Sequence, residues 1–252
     1  MEAVLYICHG SRIKEASDQA ISFIKRCMEN EEFPIQEYSF LELSEPTIEQ
    51  AFFQCIKKGA TVIHVIPVLL LTAAHAKIDI PEVLGKLSEE YPEIEIRYGR
   101  PIGVHKKMIE IVVEKIKKSS LLDKKDLLVL LVGRGSSDPE VKQDLGDIAA
   151  LVEAQLPGIS VKDCYLTAAE PSFIEGIEYA NSSSYQNILV IPYLLFTGIL
   201  MKSMKKTIKE LADSDKIYEL APYLGYHPFI ADILNERLKE VAKEDVYVSI
   251  KH

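Results

Sequence analysis

The chain repeats itself at a fixed offset of 125 residues, and no other feature limits the available folds as much. "PVLLLT", starting at Pro67, meets "PYLLFT", starting at Pro192. The same shift carries Val4-Leu5 onto Val129-Leu130, Gly10-Ser11 onto Gly135-Ser136, Leu41 onto Leu166, Glu45-Pro46 onto Glu170-Pro171 and Lys77 onto Lys202. After a small deletion, "IGVH" ending at His105 meets "LGYH" ending at His227. Strands, turns and loops that align together under one shift are copies of one structural unit.

Within each copy, strand and helix signals alternate. Apolar runs at 4–7, 61–71, 127–132 and 187–195 are continuous, as strands covered on both faces of a parallel sheet should be. Weaker strand signals lie at 36–43, 94–98, 161–166 and 217–222. Helical spacing occupies 15–28, 47–57, 80–91, 104–117, 139–156, 173–180, 200–212 and 229–242. The pattern predicts an α/β protein of two duplicated flavodoxin-like or Rossmann-like lobes, each with a four-stranded parallel sheet, with a cleft between them. The polar run "KKSSLLDKKD" at 117–126 predicts the linker, giving domains 1–120 and 125–252.

Composition narrows the function. A content of 48% hydrophobic residues in 252 is enough for real cores. A net charge of −9 argues against nucleic acid or an anionic membrane surface as partner. No apolar run approaches the roughly 20 residues of a membrane helix, and the first residues lack the basic region of a signal peptide. A cytoplasmic location is the expectation. The cysteines Cys8, Cys27, Cys55 and Cys164 stand singly, without a C-x-x-C pair, as reduced thiols would. Neither a P-loop nor a complete G-x-G-x-x-G is present, so no nucleotide is implied.

Open α/β sheets bind ligands beyond the carboxyl ends of their strands, near the point where strand order reverses. Past the first strand, in "VLYICHGSR", comes His9; at the second come Glu42 and Glu45; on the loop "LLLTAAHAK" after the third comes His75. In a 2-1-3-4 strand order the first and third strands are neighbours, and His9 would face His75. The copies differ at these positions: His9 aligns with Arg134, Glu42 with Thr167 and His75 with Leu200. A structural role would persist in both copies, whereas one reactive centre needs only one set. A metal or proton-transfer site on the N-terminal lobe is therefore expected, with Arg134 and Lys202 as anion binders. Two neutral imidazoles and a carboxylate suit Fe²⁺, Co²⁺, Ni²⁺ or Zn²⁺.

Plainer readings fit the other candidates. His64, inside the third apolar run, reads as a core residue, and Cys8 as a small buried hydrophobe. His105 and His227 read as helix-start residues, as does Glu45, which recurs as Glu170 beside a proline. "GRGSSDP" fits either an anion site at a helix start or an ordinary N-cap before Pro139. His252 is terminal and carries no inference. A histidine phosphatase would need an arginine directly before its histidine, where Cys8 stands.

The segments "YICHGSR", "FLELSEPTIEQ" and "PVLLLTAAHAKIDIP", with "GRGSSDP", "IPYLLFTG" and "GYHP" in the second half, resemble the class II sirohydrochlorin chelatases, most closely their two-domain, bacillus-type ferrochelatase members. The resemblance spans nearly the whole chain. It implies a lyase of siroheme biosynthesis that inserts Fe²⁺ into the tetrapyrrole sirohydrochlorin, releasing two protons. Co²⁺ and Ni²⁺ are the alternative metals, and a non-catalytic tetrapyrrole or metal carrier is the alternative function. It places metal binding and proton acceptance on His9 and His75, assisted by Glu42. It also lines the macrocycle with Leu70, Leu71, Thr72, Ala73 and Ala74, and implies no cofactor beyond the substrate metal. Ser11, Arg12, Lys77, Arg100, Arg134 and Lys202 are the candidates for holding the carboxylate-rich substrate. Fusion of two lobes also makes a monomer the expected state.

Overall fold

Both copies build a parallel sheet from their apolar runs. The computed structural model describes residues 1–29, 33–211, 213, 215–225, 227–243 and 248–249; His252 lies outside them. The first copy holds β1 (Glu2–Cys8), α1 (Lys14–Met28), β2 (Ile35–Phe40), α2 (Ile48–Lys57), β3 (Val62–Pro67), α3 (Ile80–Glu90), β4 (Glu95–Tyr98) and α4 (Lys106–Lys117). The second holds β5 (Leu127–Gly133), α5 (Pro139–Gln155), β6 (Ser160–Tyr165), α6 (Phe173–Ser182), β7 (Asn187–Pro192), α7 (Ile199–Leu211), β8 (Ile217–Leu220) and α8 (Pro228–Ala242).

Strand order is β2-β1-β3-β4 in one sheet and β6-β5-β7-β8 in the other, with every pairing among these strands parallel. The central strands β1 and β5 are buried almost throughout, which is why their apolar runs are unbroken. The edge strands β2 and β6 are only partly covered and carry the weaker signals. One addition escaped the pattern: the two-residue β9 (Val248–Ser249) pairs antiparallel with β4 at the sheet edge. Two residues are too few to show a period.

The copies agree in small details. Thr47 caps α2 in a reciprocal capping box with Gln50, and Ser172 caps α6 in the same way with Glu175. Glu45 and Glu170 stand two residues earlier, each before a cis proline, so the cap falls to the hydroxyl residues instead. His105 and His227 accept backbone N–H groups at the starts of α4 and α8. Asp138 accepts from Glu140 N–H ahead of Pro139, which gives "GRGSSDP" the geometry of an N-cap.

The compact units do not follow the boundary read at 117–126. One unit is 1–103 with 230–252, and the other is 104–229. The helix after each copy's last parallel strand is exchanged: α4 belongs to the second unit and α8 to the first. A duplication read along the chain cannot reveal such an exchange, because both helices keep their places in sequence.

His64 is fully buried, with Nε2 3.0 Å from Glu2 Oε2 and its ring edge-on to Phe33. All four cysteines are free and buried, and burial pushes the Cys8 thiol up to about 12. Among the described residues, no helix is long and apolar enough to cross a membrane.

Candidate metal centre

Because β1 and β3 are neighbours, the loops beyond their carboxyl ends emerge side by side. His9 follows β1 directly. Two further bonds extend the β1–β2 ladder past the sheet: Leu41 N–H donates to Cys8 C=O at 2.8 Å, and Glu42 N–H to His9 C=O at 3.1 Å. His9 and Glu42 are thereby fixed next to each other. Gly10 permits this approach, since its φ is +96° and a Cβ there would lie 1.7 Å from the Glu42 carbonyl oxygen.

His75 opens a π-helical turn, His75–Asp79, that runs into α3. Such turns are uncommon and cluster at functional positions. The wider turn brings Asp79 Oδ2 to 2.5 Å from His75 Nδ1. An ionised carboxylate can only accept, so in this pairing His75 donates from Nδ1. Sequence reasoning passed over Asp79, although "HAKID" holds the signal, a carboxylate four residues after a histidine.

The His9 and His75 ring centroids lie 4.6 Å apart, nearly perpendicular at 77°. His9 Nδ1 stands 3.4 Å from Glu42 Oε1, an ion-pair distance. One ligand atom from each of His9, Glu42 and His75 falls within 4.8 Å of the others. Metal–donor bonds of about 2.0–2.2 Å would need this span to tighten slightly, and the exposed Glu42 has the freedom to do so. Side-chain exposures of 25% for His9, 47% for Glu42 and 30% for His75 describe an open site.

The remaining candidates divide. Ser11 braces the site, its N–H donating to Ser44 Oγ while Ser44 Oγ donates to Ser11 C=O, which ties the β1–α1 and β2–α2 loops together. Leu70, Leu71, Thr72, Ala73 and Ala74 form a half-buried run between β3 and the π-helical turn. Arg12 and Lys77 are exposed in the same unit, and Arg134 and Lys202 are exposed in the other. Arg100, also exposed, grips Glu240 of α8 with its guanidinium through two bonds of 2.9 and 2.8 Å.

The second copy keeps the backbone arrangement without the donors. Thr167 N–H donates to Arg134 C=O at 2.9 Å, and a Cβ on Gly135 would meet the Thr167 carbonyl oxygen at 1.8 Å.

The chain is similar to known proteins along nearly its whole length. The sirohydrochlorin ferrochelatase of Priestia megaterium is 52% identical over 239 residues, covering 95% of this chain and 90% of its own. The structure of SirB from Bacillus subtilis with Fe3+ superposes with a TM-score of 0.87 at 40% identity, covering 96% of both chains. That of the sirohydrochlorin chelatase SirB from Bacillus subtilis subspecies spizizenii in complex with cobalt superposes with a TM-score of 0.84 at 40% identity, covering 97% of this chain and 96% of that one. The CbiX family model matches residues 3–119 and again 128–241, once for each copy of the repeat. The chain belongs to the CbiX family.

Proposed function

We propose that this protein is a sirohydrochlorin ferrochelatase: Fe²⁺ replaces the two pyrrole protons of sirohydrochlorin, giving siroheme. The observation that carries the reading is the convergence of His9, Glu42 and His75 in one copy of the repeat, in a chain so close to a named ferrochelatase.

Insertion needs a metal held firmly enough to be positioned and loosely enough to leave. Three protein ligands leave coordination positions open for the pyrrole nitrogens. His75 ligates through Nε2, with Asp79 holding its other nitrogen. His9 and Glu42 complete the set. As the ion moves onto the pyrrole nitrogens, the imidazole lone pair it vacates takes up one of the two displaced protons, and the other passes to Glu42. The run 70–74 lies along the macrocycle, and Arg12, Lys77, Arg134 and Lys202 pair with its carboxylates, helped by Ser11. The reaction needs no cofactor beyond its metal, and the enzyme works as a cytoplasmic monomer without nucleic acid or membrane.

A second reading, cobalt insertion, is favoured by the relative solved with cobalt. Rates of metallation with Fe²⁺, Co²⁺ and Ni²⁺, followed by absorbance at substoichiometric protein, test both. Faster turnover with Fe²⁺ supports the ferrochelatase, faster turnover with Co²⁺ the alternative. Stoichiometric binding without turnover would leave only a carrier.

A further inference from the structure

The exchanged helix α8 does more than cover a sheet. Its Arg237 is 2% exposed, an uncommon burial for a guanidinium. Nε donates to Pro101 C=O at 3.0 Å, Nη2 to Ile102 C=O at 2.7 Å, and Nη1 to Glu240 at 2.7 Å. The carbonyls it holds belong to the loop after β4. The same loop's amides point at the site: Ile102 N–H donates to Leu69 C=O at 3.0 Å, and Gly103 N–H to Leu70 C=O at 2.9 Å. Leu70 begins the run that ends at His75. A continuous series of bonds within one compact unit thus joins Arg237 to the segment carrying a metal ligand.

Three other features show that α8 is clamped at this place. Arg100 grips Glu240, Arg97 Nη1 donates to Ala242 C=O at 3.3 Å, and Gly99 has no side chain where Val241 packs, a Cβ there lying 2.7 Å from Val241 Cγ2. The second unit carries a simpler version. Lys115 of α4, the counterpart of Arg237 at the offset of the two "GxH" segments, donates to Pro222 C=O at 3.0 Å and Tyr223 C=O at 2.7 Å. Leu224 N–H there donates to Leu194 C=O at 2.8 Å, as Ile102 does to Leu69. The brace belongs to the fold; its guanidinium form, with a third bond to Glu240, occurs in the unit that holds the candidate ligands.

We propose that Arg237 is a positioning residue for the metal centre: it fixes the loop at 101–103, which sets the register of the run from Leu69 to His75. The proposal rests on the chelatase reading for its consequence in turnover, but its primary readout is binding of Co²⁺ alone. Removing the guanidinium leaves two buried carbonyls without their donor, and the loop is free to shift to reach water.

The test is Co²⁺ titration of the full-length protein, read by its ligand-field absorption, beside metallation kinetics. Arg237→Met is expected to weaken Co²⁺ binding about 10-fold, at the lower end of what outer partners of a metal site contribute, and to alter the absorption band. Arg237→Lys should recover most of that loss, since Lys115 bridges two adjacent carbonyls of the corresponding loop, one of them, Tyr223, equivalent to Pro101. Lys115→Met, with the same chemical loss in the other unit, should keep wild-type affinity. If Arg237→Met does not fold, Arg237→Gln, which keeps one donor, takes its place. A folded Met or Gln variant with wild-type affinity and spectrum overturns the proposal, as does an equal loss in Lys115→Met. Wild-type protein that binds Co²⁺ but never turns over would overturn the chelatase reading and leave this one standing.

Discussion

Two copies of one α/β unit lie in this chain with the same strand order, capping boxes and glycine turns, yet among the described residues only the first gathers a set of side chains that could hold a metal. Where the first copy has His9 just after its central strand, the second has Arg134; where the first bonds Glu42 to that residue, the second bonds Thr167. Gly10 and Gly135 allow the same close approach in each. The backbone that sets two strand ends side by side is therefore a property of the fold, and the side chains placed there decide whether it has chemistry. Asp79 makes the same point. Its counterpart is Met204, fully buried, so the second copy has lost the histidine and its partner together.

The largest expected effect separates the copies outright. His9→Ala with His75→Ala should abolish Co²⁺ binding and lower metallation by at least about 10³-fold, within the range that acid–base and metal contributions reach. Arg134→Ala with Lys202→Ala should raise KM and leave Co²⁺ binding unchanged; loss of metal affinity in that pair would break the division between the copies. Gly10→Ala and Gly135→Ala each force a Cβ onto a carbonyl oxygen. Each should cost about 3 kcal/mol in urea unfolding, a magnitude typical of strain at a special φ. Only Gly10→Ala should also weaken metal binding. Asp79→Asn should reduce Co²⁺ affinity about 10-fold, and wild-type affinity would remove Asp79 from the centre.

The smallest effect concerns the core. His64 aligns with Leu189, and both are fully buried. Burial lowers the His64 pKa below the ordinary 6.5, with Glu2 partly opposing. Below that pH the unfolded chain takes up a proton that the folded chain resists, so this contribution to stability is present above about 6.5 and lost as pH falls. Urea midpoints at pH 7.5 and 5.5 should differ less in His64→Leu than in wild type. An unchanged difference would show that His64 and Leu189 are interchangeable across this range.

The fold was legible because burial writes itself into sequence. Strands covered on both faces need unbroken apolar runs, and β1, β3, β5 and β7 have them; the edge strands β2 and β6, partly exposed, were fainter. The candidate site was legible through asymmetry between the copies, which singled out His9, Glu42 and His75 without any structure. The ion pair of Arg100 was not legible, because an arginine near a strand end reads the same whether or not it meets a carboxylate on a helix 140 residues away. Arg237 gave no signal at all, since a buried arginine and a surface one look alike on a helix.

The sequence by itself determined the class of fold, the duplication, and which copy holds the donors, since each depends on residue type at a fixed spacing along one chain. Only the tertiary structure decided that α4 and α8 change places, that a π-helical turn brings Asp79 onto His75, and that Arg237 braces the loop beside the site. The helix exchange and the Arg237 brace join segments far apart in sequence that share no period, and Asp79, although only four residues from His75, meets it through a local π-helical winding that the spacing alone does not fix.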